Sequence, residues 1–185
     1  YIDKINRIQL PNTKIKLLER LLSQAIDEFK KVNKIKGIEF TDRMKHVVDE
    51  YNNRRKDAAY ANEVLDDVAE QLSQLLEQLK EEKNSFVKMG IDFEEKSFYD
   101  ILAAIAKKYE FEYPDDKLIV LSRAVKKVVD DKAKYTDWSQ REDIKAELKV
   151  DLILVLAENG YPPVPKDEVF KEIFEQAENF KKYAN

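Results

Sequence analysis

Lys149-Val150-Asp151-Leu152-Ile153-Leu154-Val155-Leu156-Ala157-Glu158-Asn159-Gly160 is the stretch on which the fold class turns. From Val150 to Ala157 only Asp151 interrupts the apolar residues, and by propensity alone such a run suits a buried strand as well as a helix. The flanks decide. Ser139 and Glu142 have the spacing of a capping box, in which each side chain satisfies a backbone donor of the other. Lys145 to Lys149 are good helix formers, and Asn159-Gly160 is a helix stop. The run therefore reads as a helix. A helix apolar on every side is a buried one, which places it at the centre of its lobe.

Outward from this stretch the apolar residues recur at alternating spacings of three and four. Downstream, a last helix begins near Pro165 and buries Phe170, Ile173, Ala177 and Phe180. Upstream, Pro114 opens a helix carrying Leu118, Leu121, Val125 and Val128, since proline is tolerated in a first turn. Asp92 caps a helix with the stripe Phe98, Leu102, Ile105 and Tyr109. In the first half, Ile15, Leu18, Leu22, Ala25, Phe29 and Val32 share one stripe. Gly37 reads as the stop after it, and Thr41 as the N-cap of a helix carrying Met44, Val47, Val48 and Tyr51. A third helix shows Ala61, Leu65, Val68, Leu72, Leu75 and Leu79, then Phe86, and ends near Gly90. The expectation is an all-α chain of about seven helices in an irregular bundle. It divides into an N-terminal lobe of three helices, 1–90, basic at its start, and an acidic C-terminal lobe of four, 91–185.

Composition agrees. The 185 residues are 43% hydrophobic and 38% charged, with three glycines and five prolines, a mixture suited to long amphipathic helices and too poor in breakers for a sheet. No cysteine is present, which excludes disulfides and thiolate chemistry and fits a reducing cytoplasm. No run approaches the length of a membrane span, and no signal peptide is evident. The sequence opens on Tyr1 without an initiator methionine and reads as a piece of something larger. The net charge of −4 is unevenly spread: residues 1–60 hold 14 Lys/Arg and 9 Asp/Glu (+5), residues 61–185 hold 19 and 28 (−9). The first third suits phosphate and the rest a protein partner, or the split reflects solvated helix faces.

Catalytic constellations are hard to assemble. The single histidine, His46, cannot make a zinc site without thiolates or further histidines, and reads as a partly exposed helix residue. Pro114-Asp115-Asp116-Lys117 resembles the D/E-x-K pair of metal-dependent nucleases, but its groups are contiguous at a helix start, where acids complement the macrodipole. Moreover, 37 acids and 26 lysines would give about five such triplets by chance, and the sequence has seven. Isolated glycines at 37, 90 and 160 exclude a phosphate-binding loop, and none of the six serines sits in a G-x-S-x-G elbow. Asp151 is either a carboxylate perturbed by apolar neighbours or one on the polar edge of its helix. Catalytic, cofactor-binding and metal-ligating residues are therefore expected to be absent.

Two surface features remain as candidate DNA or partner contacts. Arg54, Arg55 and Lys56 form a basic cluster beside Tyr51 and Asn52, able to grip phosphate or a carboxylate face, or else a solvated helix end. Trp138 lies in a loop, where it either staples the loop to the core or anchors a partner.

Several phrases in this order resemble the C-terminal region of type I restriction enzyme R (motor and endonuclease) subunits. They are Gln9-Leu10-Pro11-Asn12-Thr13-Lys14, Phe40 through Tyr51-Asn52-Asn53-Arg54, and Glu95-Lys96-Ser97-Phe98-Tyr99-Asp100. Asp137-Trp138 before Ser139 and Glu158-Asn159-Gly160-Tyr161-Pro162-Pro163 complete the set. The resemblance implies a parent subunit with a nuclease domain and two helicase-like domains upstream, using ATP and magnesium to translocate and cut unmethylated DNA. It implies methyltransferase and specificity subunits as partners, a cytoplasmic setting, no membrane, and a docking role for this region. None of the family's catalytic motifs maps onto this chain. The alternative is a DNA-guiding lobe that uses the basic first third; a free-standing enzyme built around Asp151 is a third reading.

Overall fold

The computed structural model describes residues 2–7, 11–53, 58–163 and 167–183. Among them there is no strand. Seven helices have 16 residues or more: α2 (Pro11–Val32), α3 (Lys34–Asn52), α4 (Ala58–Lys83), α6 (Phe93–Lys108), α7 (Asp115–Ala133), α8 (Glu142–Glu158) and α9 (Asp167–Tyr183). Two short ones, α1 (Ile2–Asn6) and α5 (Phe86–Met89), complete the set, and a single 3-10 turn, Trp138–Gln140, precedes α8. The all-helical expectation is correct. No helix among the described residues is long and apolar enough to cross a membrane.

The chain divides into two compact units. The first contains Tyr1–Lys30 and Lys36–Asn84, the second Lys31–Ile35 and Ser85–Asn185. The division thus falls between Asn84 and Ser85 rather than at Gly90, and the α2–α3 corner belongs to the second unit. Gly90 (φ +69°) instead closes α5, where Ile91 N–H reaches back to Phe86 O.

In the first unit, Ile15, Leu18, Leu22, Ile26 and Phe29 of α2 meet Phe40, Val47 and Tyr51 of α3 and Leu65, Val68, Leu72, Leu75 and Leu79 of α4. Phe29 and Phe40 pack edge to face at 6.4 Å, and the Tyr51 hydroxyl donates to Asn12 Oδ1 at 2.9 Å. The periodic stripes were legible, but the corner between the first two helices lies elsewhere than expected. Asn33, not Gly37, separates α2 from α3, and Gly37 is buried inside α3. A Cβ at Gly37 would lie 3.0 Å from Lys30 Cα and 2.3 Å from its Cγ. The residue is there for close approach, not for a left-handed turn. Thr41 is likewise interior, its hydroxyl donating to Gly37 O one turn back.

The core of the second unit takes one face from each long helix. Phe98, Ile101, Leu102 and Ile105 come from α6, and Leu118, Leu121, Val125 and Val129 from α7. Ile144, Leu148, Leu152 and Leu156 come from α8, and Val169, Ile173, Ala177 and Phe180 from α9. Asp92 caps α6 in a full capping box with Glu95. The box expected at Ser139 and Glu142 does not form: Ser139 lies in the 3-10 turn, and α8 starts after Arg141 without a side-chain cap. Gly160 (φ +65°) ends α8 as expected, with Tyr161 N–H on Leu156 O and Gly160 N–H on Ala157 O, a Schellman closure. Tyr161 then plunges into the core, its hydroxyl donating to Leu102 O at 2.6 Å between the rings of Phe111 and Tyr113. Burial, with Glu172 and Tyr113 nearby, raises this phenol above its ordinary value, so it remains a donor.

Candidate functional site

Among the described residues, the interior of the second unit holds one charged cluster. Lys96 and Asp100 are buried one turn apart on α6, with Lys96 Nζ 2.5 Å from Asp100 Oδ2. Asn33 Nδ2 donates to the same oxygen at 2.6 Å, and the Ser97 hydroxyl donates to Val32 O. The phrase Glu95–Asp100 thereby acquires a structural meaning: it caps α6, supplies core Phe98, and fastens the 31–35 corner. Every polar atom here is engaged with a neighbour, so the cluster holds the fold together.

Ion pairs lace the seams between helices. Lys126 of α7 lies 3.1 Å from Asp130 and 3.6 Å from both Asp92 and Glu94, and Lys181 of α9 reaches Glu94 and Asp130. Burial alone would raise the Asp130 carboxyl, but Lys181 and Lys126 hold it below its usual range. Lys132 of α7 pairs with Glu147 at 2.8 Å and Asp151 at 3.3 Å on α8. Asp151 is thus a partly exposed, paired carboxylate on the edge of its helix. Lys145 of α8 pairs with Glu178 of α9 at 3.2 Å.

The remaining candidates divide as follows. Arg54, Arg55 and Lys56 lie outside the described residues. Trp138 is 3% exposed and packs into the second core, which gives its ring the loop-stapling role. His46 is exposed on α3, beside a groove of about 440 Å³ between α3 and α4 that is lined by Arg43, Gln71, Gln74 and Gln78 among others. No group of three or more His, Asp or Glu able to hold a metal ion occurs among the described residues. Gly37 lies inside a helix and Gly90 and Gly160 close helices, so none of the three forms a phosphate-binding loop.

The most informative surface lies on the helix whose apolar run predicts burial on every side. The α8 helix has four rows of side chains, each repeating every fourth residue. Ile144, Leu148, Leu152 and Leu156 face the core, Glu147 and Asp151 pair with α7, and Lys145 with α9. The outer row is Ala146, Val150 and Leu154, with Val150 56% and Leu154 53% exposed. The run from Val150 to Ala157 is apolar on both sides, yet the unit covers only one of them. Beside the outer row lies a groove of about 730 Å³ between α8 and α9, floored by Ile153, Phe170 and Phe174. Its rim carries Asp167, Glu168, Glu175 and Glu178 against Lys149 and Lys171. Contiguous exposed apolar rows with a charged rim mark interaction surfaces. The sequence signal was present in the missing polar residues at 150 and 154, since a solvated helix face would carry them.

Comparison with known proteins adds the family. The description "Type I restriction enzyme HindI endonuclease subunit-like, C-terminal" fits residues 1–183. The chain is 23% identical over 180 residues to the type I restriction enzyme HindI endonuclease subunit of Haemophilus influenzae, covering 96% of this chain and 16% of that protein. It is 22% identical over 186 residues to the putative type I restriction enzyme MjaIXP endonuclease subunit of Methanocaldococcus jannaschii, covering 97% and 16%. The chain therefore spans about a sixth of the length of these relatives. No solved structure matches it.

Proposed function

This chain belongs to the family formed by the C-terminal regions of HindI-like type I restriction endonuclease subunits, and from that premise we propose that it is an assembly module. It docks the motor and nuclease of a type I restriction enzyme onto the methyltransferase core and takes no part in the chemistry. The observation that carries the reading is the outer face of α8, where Val150 and Leu154 stand exposed beside an apolar groove. Burying the exposed half of each of those two side chains against a partner would contribute about 1 kcal/mol, so that several such residues together anchor an interface. The acidic rim adds orientation and association rate more than affinity.

The test is a titration of the purified chain against the assembled methyltransferase–specificity complex, with and without duplex DNA. Saturable binding at micromolar concentration in the absence of DNA is expected. Binding that requires DNA would shift the function to the basic first third, and no binding at all would end the docking reading.

A further inference from the structure

We infer that the α8–α9 groove receives an amphipathic α-helix with a basic edge, contributed by the methyltransferase core; this rests on the docking reading above. The shape favours a helix. Ala146, Val150 and Leu154 form a ridge spaced by four residues, about 12 Å long at 1.5 Å per residue. Ridges of that spacing intercalate with the like-spaced rows of another helix. Small Ala146 at one end of the ridge and exposed Ala157 near the other let a partner backbone come close. The neighbouring groove, floored by Ile153, Phe170 and Phe174, gives a second row of apolar anchors a place to sit. Among the described residues there is no strand, so an extended peptide finds no sheet edge on which to add.

Charge selects the edge of that helix. The groove's rim carries four carboxylates and two lysines. Asp167, Glu168 and Glu175 are exposed, while Lys126, Lys132, Lys145 and Lys181 are engaged with acids along the helix seams. Two of the acids stand in the first turn of α9, where the macrodipole already favours them, so they are stable there without a partner. Lysine or arginine flanking the apolar stripe of the incoming helix would meet them. A second copy of this chain would bring the same acidic rim against itself.

The experiment uses the full-length endonuclease subunit and its purified methyltransferase–specificity complex. Leu154→p-benzoylphenylalanine, photoactivated in the complex, should crosslink to a helical segment with apolar residues three and four apart and lysine or arginine beside them. Leu154→Glu should weaken association about tenfold or more, and Glu168→Lys with Glu175→Lys should do so without touching an apolar residue. Val120→Glu, on the equally exposed Val120 of α7, should leave association unchanged. All four side chains are exposed, and unchanged melting of each variant establishes that it folds. A crosslink to a second copy of the subunit, to an acidic or non-helical segment, or to nothing within a complex that forms would overturn the inference and leave docking standing. If the wild-type subunit forms no complex without DNA, the docking reading falls and the inference with it.

Discussion

Asp100 accepts from two donors at one oxygen, Lys96 Nζ at 2.5 Å and Asn33 Nδ2 at 2.6 Å, in a place where water does not reach. A buried pair of this kind is costly to break, because the charge left behind has no solvent to turn to. Asp100→Ala is expected to destabilise the second unit by about 3–5 kcal/mol. The double change Lys96→Met with Asp100→Leu should recover the part of that loss that comes from the stranded lysine charge but not the part from the Asn33 hydrogen bond, and urea denaturation of the two variants checks both. Gly37 makes the opposite case, a residue whose importance lies in what it lacks. Alanine is the better helix former by about 1 kcal/mol, yet here its Cβ would press on the backbone of Lys30. Overpacking costs about 1–3 kcal/mol, so Gly37→Ala should lower the denaturation midpoint despite the gain in propensity. Gly37→Val should lower it further.

The helices meet through ion pairs as well as through apolar faces, and this makes the packing of α6, α7 and α9 sensitive to acid. Asp130 is held below its usual range by Lys181 and Lys126. A carboxylate depressed in the folded state contributes stability that is present above its unfolded value and is lost as pH falls through the folded one. Melting temperature should therefore fall on acidification from about pH 5 downward. In Asp130→Asn the starting value should be lower and the fall shallower. The helices themselves were legible because their buried stripes repeat at three and four. What joins them was not, because the residues that mark corners carry more than one meaning. Glycine signals a turn by its free φ and a close contact by its small size, and at Gly37 the second meaning applies. Ser139 has capping chemistry but stands in a 3-10 turn. The apolar run of α8 was legible as helix, whereas its exposure was not: how many sides of a helix are covered depends on how many neighbours the unit supplies.

At the scale of the molecule, charge is sorted in part: Lys126, Lys132, Lys145 and Lys181 are drawn into seams, and the rim of the α8–α9 groove carries four carboxylates against Lys149 and Lys171. Attraction of a basic partner to that rim is screened as the Debye length shrinks from about 10 Å at 0.1 M salt to about 3 Å at 1 M. Association with the methyltransferase complex should weaken over that range, and the dependence should flatten in Glu168→Lys with Glu175→Lys. The pattern of exposed acids could be read in part from the −9 balance of residues 61–185, but which acids face outward depends on pairings between residues far apart in sequence. The corner Lys31–Ile35 carries a different consequence. It completes the second unit although the chain on both sides of it belongs to the first. The two units are therefore not beads on a string that one cut could separate. As the polypeptide is made, those five residues emerge early and wait for Ser97 and Asp100 to emerge before Val32 and Asn33 gain their partners. A fragment beginning at Ser85 would be born without its own first segment, and should melt below the same unit in the intact chain.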